Sequence, residues 1–549
     1  MKARFDMSRW QLAGWMLALA FPVLALVVDK AASTIFAIFF LAGIGLLIRG
    51  RRAGPDPVTR GVLLAFAAYF LVGVASFFLG EQTRLGEQLL GRDLRFLGGV
   101  AVFLALARLA LPERWLRFSF VAGGFVTGAF AIVEVIAAAD ADYRAGGETI
   151  SIVFGHLSAA LFAVNLAIAL FGKEGRPMAW PVPWLAAGFA LAAVTLSSTR
   201  GALLAVLAAL GAGVLVALLL DRGWRRPGRL AGVVAVLLAA AGIAGWALLP
   251  RFADGLAEFR AYMALADSAE TRVKRECLGR GALERLVRFS ESYGVEVDIV
   301  AQRGLSGCAD GGAIRLENPS EKAGQWRSPY RNLPEGAGGR VRLLGQAGLK
   351  LEGNEKWRKV DAAEPREVEL PAVQDVEQTR FFVRVPPGGR VLLVPLVTAP
   401  GEYAFAAADT PVGSRLAMWA AALRHVDGSP LGTGAGSWPS IMASEAAANR
   451  VPWRLAAYDH PHGDYLTVLV ERGWLGLLAL FGVLVAPFVW GCRNASPGNW
   501  RGPAVILLVV SVAVSALTET VFNHSIGITY YCALVLLLLT ARAESFPRN

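Results

Sequence analysis

Twelve stretches of this chain are apolar over lengths close to the roughly 20 residues that carry an α-helix across a bilayer core. They fall near 10–28, 33–48, 62–80, 96–111, 117–138, 150–171, 180–198, 201–220, 230–249, 472–490, 503–520 and 525–541. The hydropathy criterion predicts a polytopic α-helical membrane protein of about 12 transmembrane helices. Composition agrees: of 549 residues 55% are hydrophobic and 18% charged, too apolar for an ordinary soluble enzyme of this length.

The first run, Trp10 to Val28, follows Lys2, Arg4 and Arg9 and has a small-residue site at Ala18-Leu-Ala20, the outline of a signal peptide. It is longer than a typical signal core and the next run starts just after Asp29-Lys30, which favours an uncleaved helix. Basic residues gather in alternate loops: Arg49, Arg51, Arg52 and Arg60; Arg108, Arg114 and Arg117; Lys173 and Arg176; Arg222, Arg225, Arg226 and Arg229; Arg493 and Arg501. The positive-inside bias places these loops, and both termini, in the cytoplasm. It also accounts for most of the net charge of +11 without a nucleic-acid partner.

The same parity sends the loops holding Arg84, Arg92, Arg95 and Arg144, the turn Ser197-Ser-Thr-Arg200 and the segment 250–465 to the opposite side, where their charges are exceptions to the pattern. Cys277 and Cys308 lie in that segment, where an oxidising compartment permits a disulfide, though spacing does not decide whether they pair.

Between Pro250 and Asp464 the sequence becomes charged and Gly-rich, with no run able to span. Apolar residues first recur at spacings of three and four (Leu256, Phe259, Tyr262, Met263; then Leu283, Leu286, Val287, Phe289), which predicts helix to about Tyr293. From Val295 the period becomes two, at 295–300, 340–344, 366–370, 380–385 and 390–394, with Gly and Pro turns between, which predicts a β-sandwich of jelly-roll type. Helical spacing returns at Leu416, Trp419, Ala420 and Leu423. The chain thus divides into an N-terminal bundle of about nine helices (1–250), a helical segment (251–294), an inserted β-sandwich (295–408), a second helical segment (409–465) and a C-terminal bundle of about three helices (466–549).

The five histidines, His156, His425, His460, His462 and His524, fall at or beyond the non-cytoplasmic boundary, so proton-transfer chemistry belongs on that side. The densest polar cluster is Tyr458-Asp-His-Pro-His-Gly-Asp-Tyr465, where the soluble segment re-enters the bilayer. An imidazole there suits a general base for a hydroxyl nucleophile, and Asp464 suits a helix cap. Asp459, His460, His462 and Asp464 also offer metal-ligating atoms, without the spacing of a strong metal motif. Arg200, beside the hydroxyls of Thr195-Leu-Ser-Ser-Thr199, suits either a bidentate phosphate contact or snorkelling to headgroups. Arg92, Arg95 and Arg144 on the same face favour an anionic lipid-linked ligand. Asp140-Ala-Asp142 resembles a short metal-holding motif of some glycosyltransferases, but a solvated loop explains it better.

These residues resemble the O-antigen ligase and polymerase family. His462-Gly-Asp-Tyr-Leu466, followed by Val470-Glu-Arg-Gly-Trp-Leu-Gly-Leu477, is similar to its His-Asn-x-Tyr-Leu and Glu-x-Gly-x-x-Gly-Leu signature, with Gly463 in place of the asparagine. Arg144-Ala-Gly-Gly through Leu157, Ser197-Ser-Thr-Arg-Gly-Ala202, Ser414-Arg-Leu-Ala-Met-Trp419 and Pro430-Leu-Gly-Thr-Gly-Ala-Gly436 agree with further elements in kind and order. The resemblance does not reach the β-rich segment of about 295–408.

The resemblance implies a glycosyltransferase-C-like enzyme of the bacterial inner membrane with a large periplasmic loop. The donor it implies is an undecaprenyl-diphosphate-linked glycan and the acceptor lipid A-core or another glycan. Arg200, with Arg144 and Arg92 or Arg95, would hold the diphosphate, and His462 would activate the acceptor hydroxyl for an inverting displacement. A polymerase of repeat units and a protein O-oligosaccharyltransferase share these motifs. A lipid-linked glycan transporter fits less well, because it would carry ionisable groups at mid-membrane depth. Arginines in the role that Mg²⁺ plays elsewhere imply no metal and no cofactor. Transfer by the purified protein should therefore survive exhaustive chelation; loss restored by Mg²⁺ or Mn²⁺ would overturn this expectation.

Overall fold

The computed structural model describes residues 9–50, 54–138, 143–172, 181–220, 253, 255–260, 291–293, 295–301, 312–327, 339–351, 357–370, 381–396, 411–426, 428–448, 450–451 and 453–542. They form two compact units. The first takes residues 1–253, 426–437 and 462–549, and the second 254–425 and 438–461.

The first unit is helical: α1 (Arg9–Leu24), α2 (Ala31–Ile48), α3 (Pro57–Leu79), α4 (Arg84–Leu109), α5 (Glu113–Ala138), α6 (Ser151–Phe171), α7 (Pro181–Leu196) and α8 (Arg200–Leu220). These match the first eight apolar runs; the ninth, 230–249, lies outside the described residues. Seven of the described helices are long and apolar enough to cross a membrane, and the protein is a polytopic α-helical one. The 26-residue α4 is not among the seven, because Arg84, Glu87, Arg92, Asp93, Arg95 and Arg108 lie along it.

Turn chemistry sets the ends: Asp56 accepts from Val58 N and Thr59 N to open α3, and Thr83 Oγ1 accepts from Gly86 N to open α4. Helix α6 is buried over almost its whole length and lies at the centre of the bundle.

In the C-terminal part, α9 (Pro411–Arg424) and α10 (Trp438–Ala447) belong to the second unit. The membrane-type helices α11 (Asp464–Asn494), α12 (Arg501–Thr518) and α13 (Ser525–Thr540) rejoin the first. α11 packs on α3 and α12, α12 on α6 and α8, and α13 on α4.

With 31 residues, α11 would run about 46 Å as one rod, well beyond a bilayer core of about 30 Å. It is broken at Gly473, whose φ of 63° and ψ of −166° are left-handed and non-helical. The loop 429–436 fills the break. Thr433 N donates to Val470 O (2.9 Å), Gly434 N to Glu471 O (3.0 Å) and Leu475 N to Pro430 O (3.1 Å). Ser76 Oγ of α3 adds a 2.7 Å bond to Glu471 O. The apolar run expected at 472–490 starts at this break, so hydropathy detects only the second limb of α11.

In the second unit β1 (Glu291–Tyr293), β2 (Glu296–Ala301), β3 (Gly312–Glu317), β4 (Gly324–Arg327), β5 (Gly339–Leu351), β6 (Arg358–Leu370), β7 (Phe381–Val385) and β8 (Arg390–Leu396) form one antiparallel sheet. The 13-residue β5 pairs with β6 along one edge and with β8 and then β7 along the other, shifting register between Leu343 and Gly345. The sheet forks there into β7-β4-β1 and β8-β3-β2, so the two sheets expected of a sandwich are arms joined through one long strand. Both arms share a core of Ile314, Leu316, Trp326, Leu343, Leu349, Val383, Val385, Val391 and Leu393.

One expectation is corrected. Residues 291–293 are a strand paired with β4, although helix was expected to Tyr293; three residues carry too little periodicity to distinguish the two. Trp326 is fully buried, because its strand alternates inward at that position. Replacing it with Ala should cost the sheet about 3–5 kcal/mol. In the full-length protein this should appear as faster proteolysis within 291–396 and an unchanged pattern in the helical bundle.

Candidate active site

His462 lies two residues before the start of α11 with a left-handed φ of 54°, a conformation costly for a non-glycine residue and commonest where the surroundings fix a functional group. Its Nδ1 lies 3.3 and 3.4 Å from the two carboxylate oxygens of Glu519, the residue that ends α12. Glu519 is 4% exposed and His462 16% exposed, so the pair is shielded with the ring nearer the surface. Thr520 N donates to Glu519 Oε1 at 3.1 Å and helps to fix the carboxylate. A neutral imidazole that donates Nδ1–H to this carboxylate presents Nε2 as a base. Next along the chain, a Cβ on Gly463 would meet Leu517 O at 3.3 Å, so the asparagine expected there would press on the last turn of α12. Asp464 accepts from Phe522 N with both oxygens at 3.2 Å.

The start of α8 meets the same end of α12. At Gly201 a Cβ would lie 2.1 Å from Thr518 Oγ1 and 3.0 Å from the His156 ring, so only glycine allows the approach. His156 is buried on α6, with Nδ1 2.8 Å from Ser515 Oγ. Arg144 braces the turn before α8: Nε donates to Ser197 O (2.9 Å) and Nη2 to Ser198 O (3.4 Å) and Thr199 Oγ1 (3.3 Å). Arg200 follows, half-buried, and makes no hydrogen bond or ion pair among the described residues. The bundle therefore distinguishes two arginines that look alike in sequence, one bracing the turn and one presented by it.

Arg92 donates from Nη1 to Asn523 O at 2.6 Å and lines a cavity of about 330 Å³ with Asp29, Lys30, Glu148, Thr149 and His524. A His524 ring nitrogen and a Glu519 carboxylate oxygen lie within 4.8 Å of each other, which puts the cavity beside the His462–Glu519 pair. Arg95, half-buried on α4, donates to Gly91 O within its own helix (3.2 Å) and does not line the cavity.

Two charged residues that composition did not single out form a buried pair. Arg472 Nη2 lies 2.6 Å from Asp93 Oδ2, their side chains are 4% and 2% exposed, and the guanidinium sits 4.9 Å above the Tyr69 ring. Asp93 is the tenth residue of α4, about 13 Å along the helix from its start. The expectation that the unusual charges all lie at one face is thus corrected. Asp93 follows Arg92 and Arg472 follows Glu471 in sequence, and only the fold brings Asp93 and Arg472 together.

In the second unit Glu445, 1% exposed, joins α9 to α10. It accepts from Arg424 Nε (3.0 Å) and Nη2, from Arg450 Nη1 (2.9 Å), and pairs with His425 Nε2 at 3.1 Å. Burial pushes the Glu445 carboxyl up, but hydrogen bonds from Arg424 and His425 and the charge of Arg424 more than offset it, leaving the pKa below the ordinary 4.5. Trp419 Nε1 donates to Pro461 O at 2.8 Å, and His460 faces Asp459 at 3.4 Å. Of the metal-ligating alternative, Asp459 and His460 belong to this unit and His462 and Asp464 to the other. Asp140, Asp142, Cys277 and Cys308 lie outside the described residues.

Comparison with known proteins gives three findings. Residues 373–481 match the family described as O-antigen ligase, a stretch that takes in β7, β8, α9, α10, His462 and the break in α11. Arg144 and Arg200 lie outside the matched residues. An uncharacterized protein of Haemophilus influenzae is 22% identical over 133 residues, 23% of this chain and 33% of that protein, so the chain spans about a third of that relative's length. A solved structure of TmCBM61 in complex with β-1,4-galactotriose aligns with 22% of this chain and 93% of its own at 13% identity, with a TM-score of 0.17.

Glu445 titrates below its ordinary value, so the stability it gives is complete above that value and is lost as pH falls through the lowered one. Amide hydrogen exchange across 411–448 should accelerate as pH drops below 4.5, after correction for the intrinsic rate. Glu445→Gln should abolish that dependence and exchange faster at neutral pH. An unchanged profile in the variant would remove Glu445 from this role.

Proposed function

We propose, from the match of its segment 373–481 to the O-antigen ligase family, that this chain is a membrane glycosyltransferase using a polyprenyl-diphosphate-linked glycan. The acceptor is a hydroxyl on lipid A-core or another glycan, and the enzyme lies in the inner membrane with both termini cytoplasmic and the 250–465 segment periplasmic. The observation that carries the reading is His462, held in a left-handed conformation against the buried Glu519 at the end of the bundle where Arg200 emerges.

In this reading His462 Nε2 takes the proton of the acceptor hydroxyl as its oxygen attacks the anomeric carbon of the glycan. Glu519 steadies the imidazolium that forms. The bond from the anomeric carbon to the diphosphate oxygen breaks, and the polyprenyl diphosphate leaves with the electron pair. Arg200 offsets the charge that grows on the leaving oxygens, the kind of preorganised contact that contributes most when water is excluded. Attack opposite the leaving group inverts the anomeric configuration.

Arg92 and Lys30 would hold the donor's phosphates in the adjoining cavity, whose volume suits the diphosphate and first sugar. Arg144 acts on the donor through the turn it braces as well as by charge, and Arg95 supports the charge of the same face.

A strain lacking the protein separates the acceptor classes: capped core with free long glycan marks a ligase, single repeats a polymerase, and unglycosylated protein a protein transferase. With purified protein, His462→Ala and Arg200→Ala should abolish transfer at normal yield of inserted protein, and Glu519→Gln should lower kcat at least about tenfold. Wild-type transfer by any of these well-inserted variants would strike that residue from the mechanism.

A further inference from the structure

The buried Asp93–Arg472 pair is outside the proposed chemistry, yet it lies within the first unit in a closed circuit of contacts around it. Asp464 and Arg472 are eight residues apart on α11, a spacing that keeps them near one face. Asp464 receives Phe522 N; the next residue, Asn523, receives Arg92 Nη1 on its carbonyl; Arg92 adjoins Asp93 on α4; and Asp93 returns to Arg472. The turn fixed by this circuit, 519–524, begins with Glu519, and His462 precedes Asp464 by two residues. Both members of the dyad are therefore anchored at positions the circuit holds.

The bundle is also shaped around the pair. A Cβ on Gly73 of α3 would lie 3.0 Å from Arg472 Nη1 and 3.2 Å from Asp93 Oδ2, and Tyr69, one turn earlier on α3, lies under the guanidinium. Arg472 Nε and Nη1 are buried without a hydrogen-bond partner. A lone buried charge costs several kcal/mol, and an ionisable residue among membrane helices calls for a functional account. An apolar contact at this place would hold the three helices together without either cost. The pair supplies direction as well, since a charged fork meeting a carboxylate fixes the rotation of α11 relative to α4.

We propose that Asp93 and Arg472 are positioning residues for transfer: their ion pair fixes the first limb of α11 against α4 and the 519–524 turn, so that Glu519 meets His462 in the geometry the base requires. This rests on the reading of His462 as the base. It predicts a loss in the chemical step with donor binding preserved, because a base displaced by about 1 Å can cost 10²-fold.

The test uses full-length protein reconstituted with a polyprenyl-diphosphate glycan and an acceptor, comparing Asp93→Asn, Arg472→Gln, Arg472→Lys, the exchange Asp93→Arg with Arg472→Asp, and His462→Ala. Variants are matched for thermal midpoint and proteolytic pattern, and Arg472→Lys, which keeps the charge, stands in if Arg472→Gln does not insert. The expected result is kcat lower by at least about tenfold in Asp93→Asn and Arg472→Gln with donor KM within about threefold of wild type. Recovery of part of kcat is expected in Arg472→Lys and in the exchange. A raised donor KM with unchanged kcat, or wild-type kinetics in either neutral variant, overturns the proposal. So does a loss in Arg472→Lys as deep as in Arg472→Gln. An active His462→Ala would remove the base and this proposal together, whereas an inactive His462→Ala with unaffected Asp93→Asn removes the positioning role alone.

Discussion

A backbone N–H or carbonyl in hydrocarbon has no water to bond, so a membrane helix can be broken only where protein supplies the missing partners. The bundle depends on how this is met at Gly473. The carbonyls of Val470 and Glu471, which a continuous helix would bond internally, accept from Thr433 and Gly434, and Leu475 donates to Pro430. The loop cannot be displaced without exposing these groups, and α11 cannot straighten without expelling the loop. The same loop is tied to the connection between the end of α3 and the start of α4 by Glu81 N to Thr433 O and Thr83 Oγ1 to Gly436 O. One break thereby ties three helices together.

The break also bears on the site. A single straight rod would carry His462 along the axis of the spanning limb, whereas the broken rod sets it against the end of α12. Glu519, Thr518 and Ser515 all lie in the last turn of α12 or just beyond it, and they face His462, Gly201 and His156 from three other segments. Convergence of helix ends is a natural way to build a polar site in a membrane protein. Terminal turns carry the unsatisfied backbone groups and polar caps that the middle of a span cannot tolerate.

Much of this was legible in the residues. Apolar runs located the helices because bilayer thickness sets their length, and the alternation at 295–300 and 390–394 located strands because one face of each is buried. His462 stood out through its setting at the start of an apolar run. Its partner did not: Glu519 lies 57 residues away, a lone acid at the end of another such run, and periodicity says nothing about which ends meet. The polar string Thr518-Glu-Thr520 with Asn523-His524 was an available signal, since a cluster of that kind between two apolar runs marks a helix-end site. Strand β4 escaped because four residues offer too few alternations. The fork at β5 escaped because strand length does not reveal how many partners an edge serves.

The arginines show where residue type stops being informative. Arg92, Arg144 and Arg200 share a charge and a side of the bundle, and a pattern of exceptional charges treats them as equivalent. Their surroundings separate them by hydrogen-bond demand. The backbone carbonyls of Ser197, Ser198 and Asn523 stand at turns where no helix supplies donors, and an arginine with five N–H groups meets them without losing its charge. Arg144 and Arg92 therefore hold the architecture and still contribute positive potential to the cavity and the α8 turn. Arg200 has no such demand placed on it among the described residues, so the whole fork of its guanidinium can answer a ligand's oxygens.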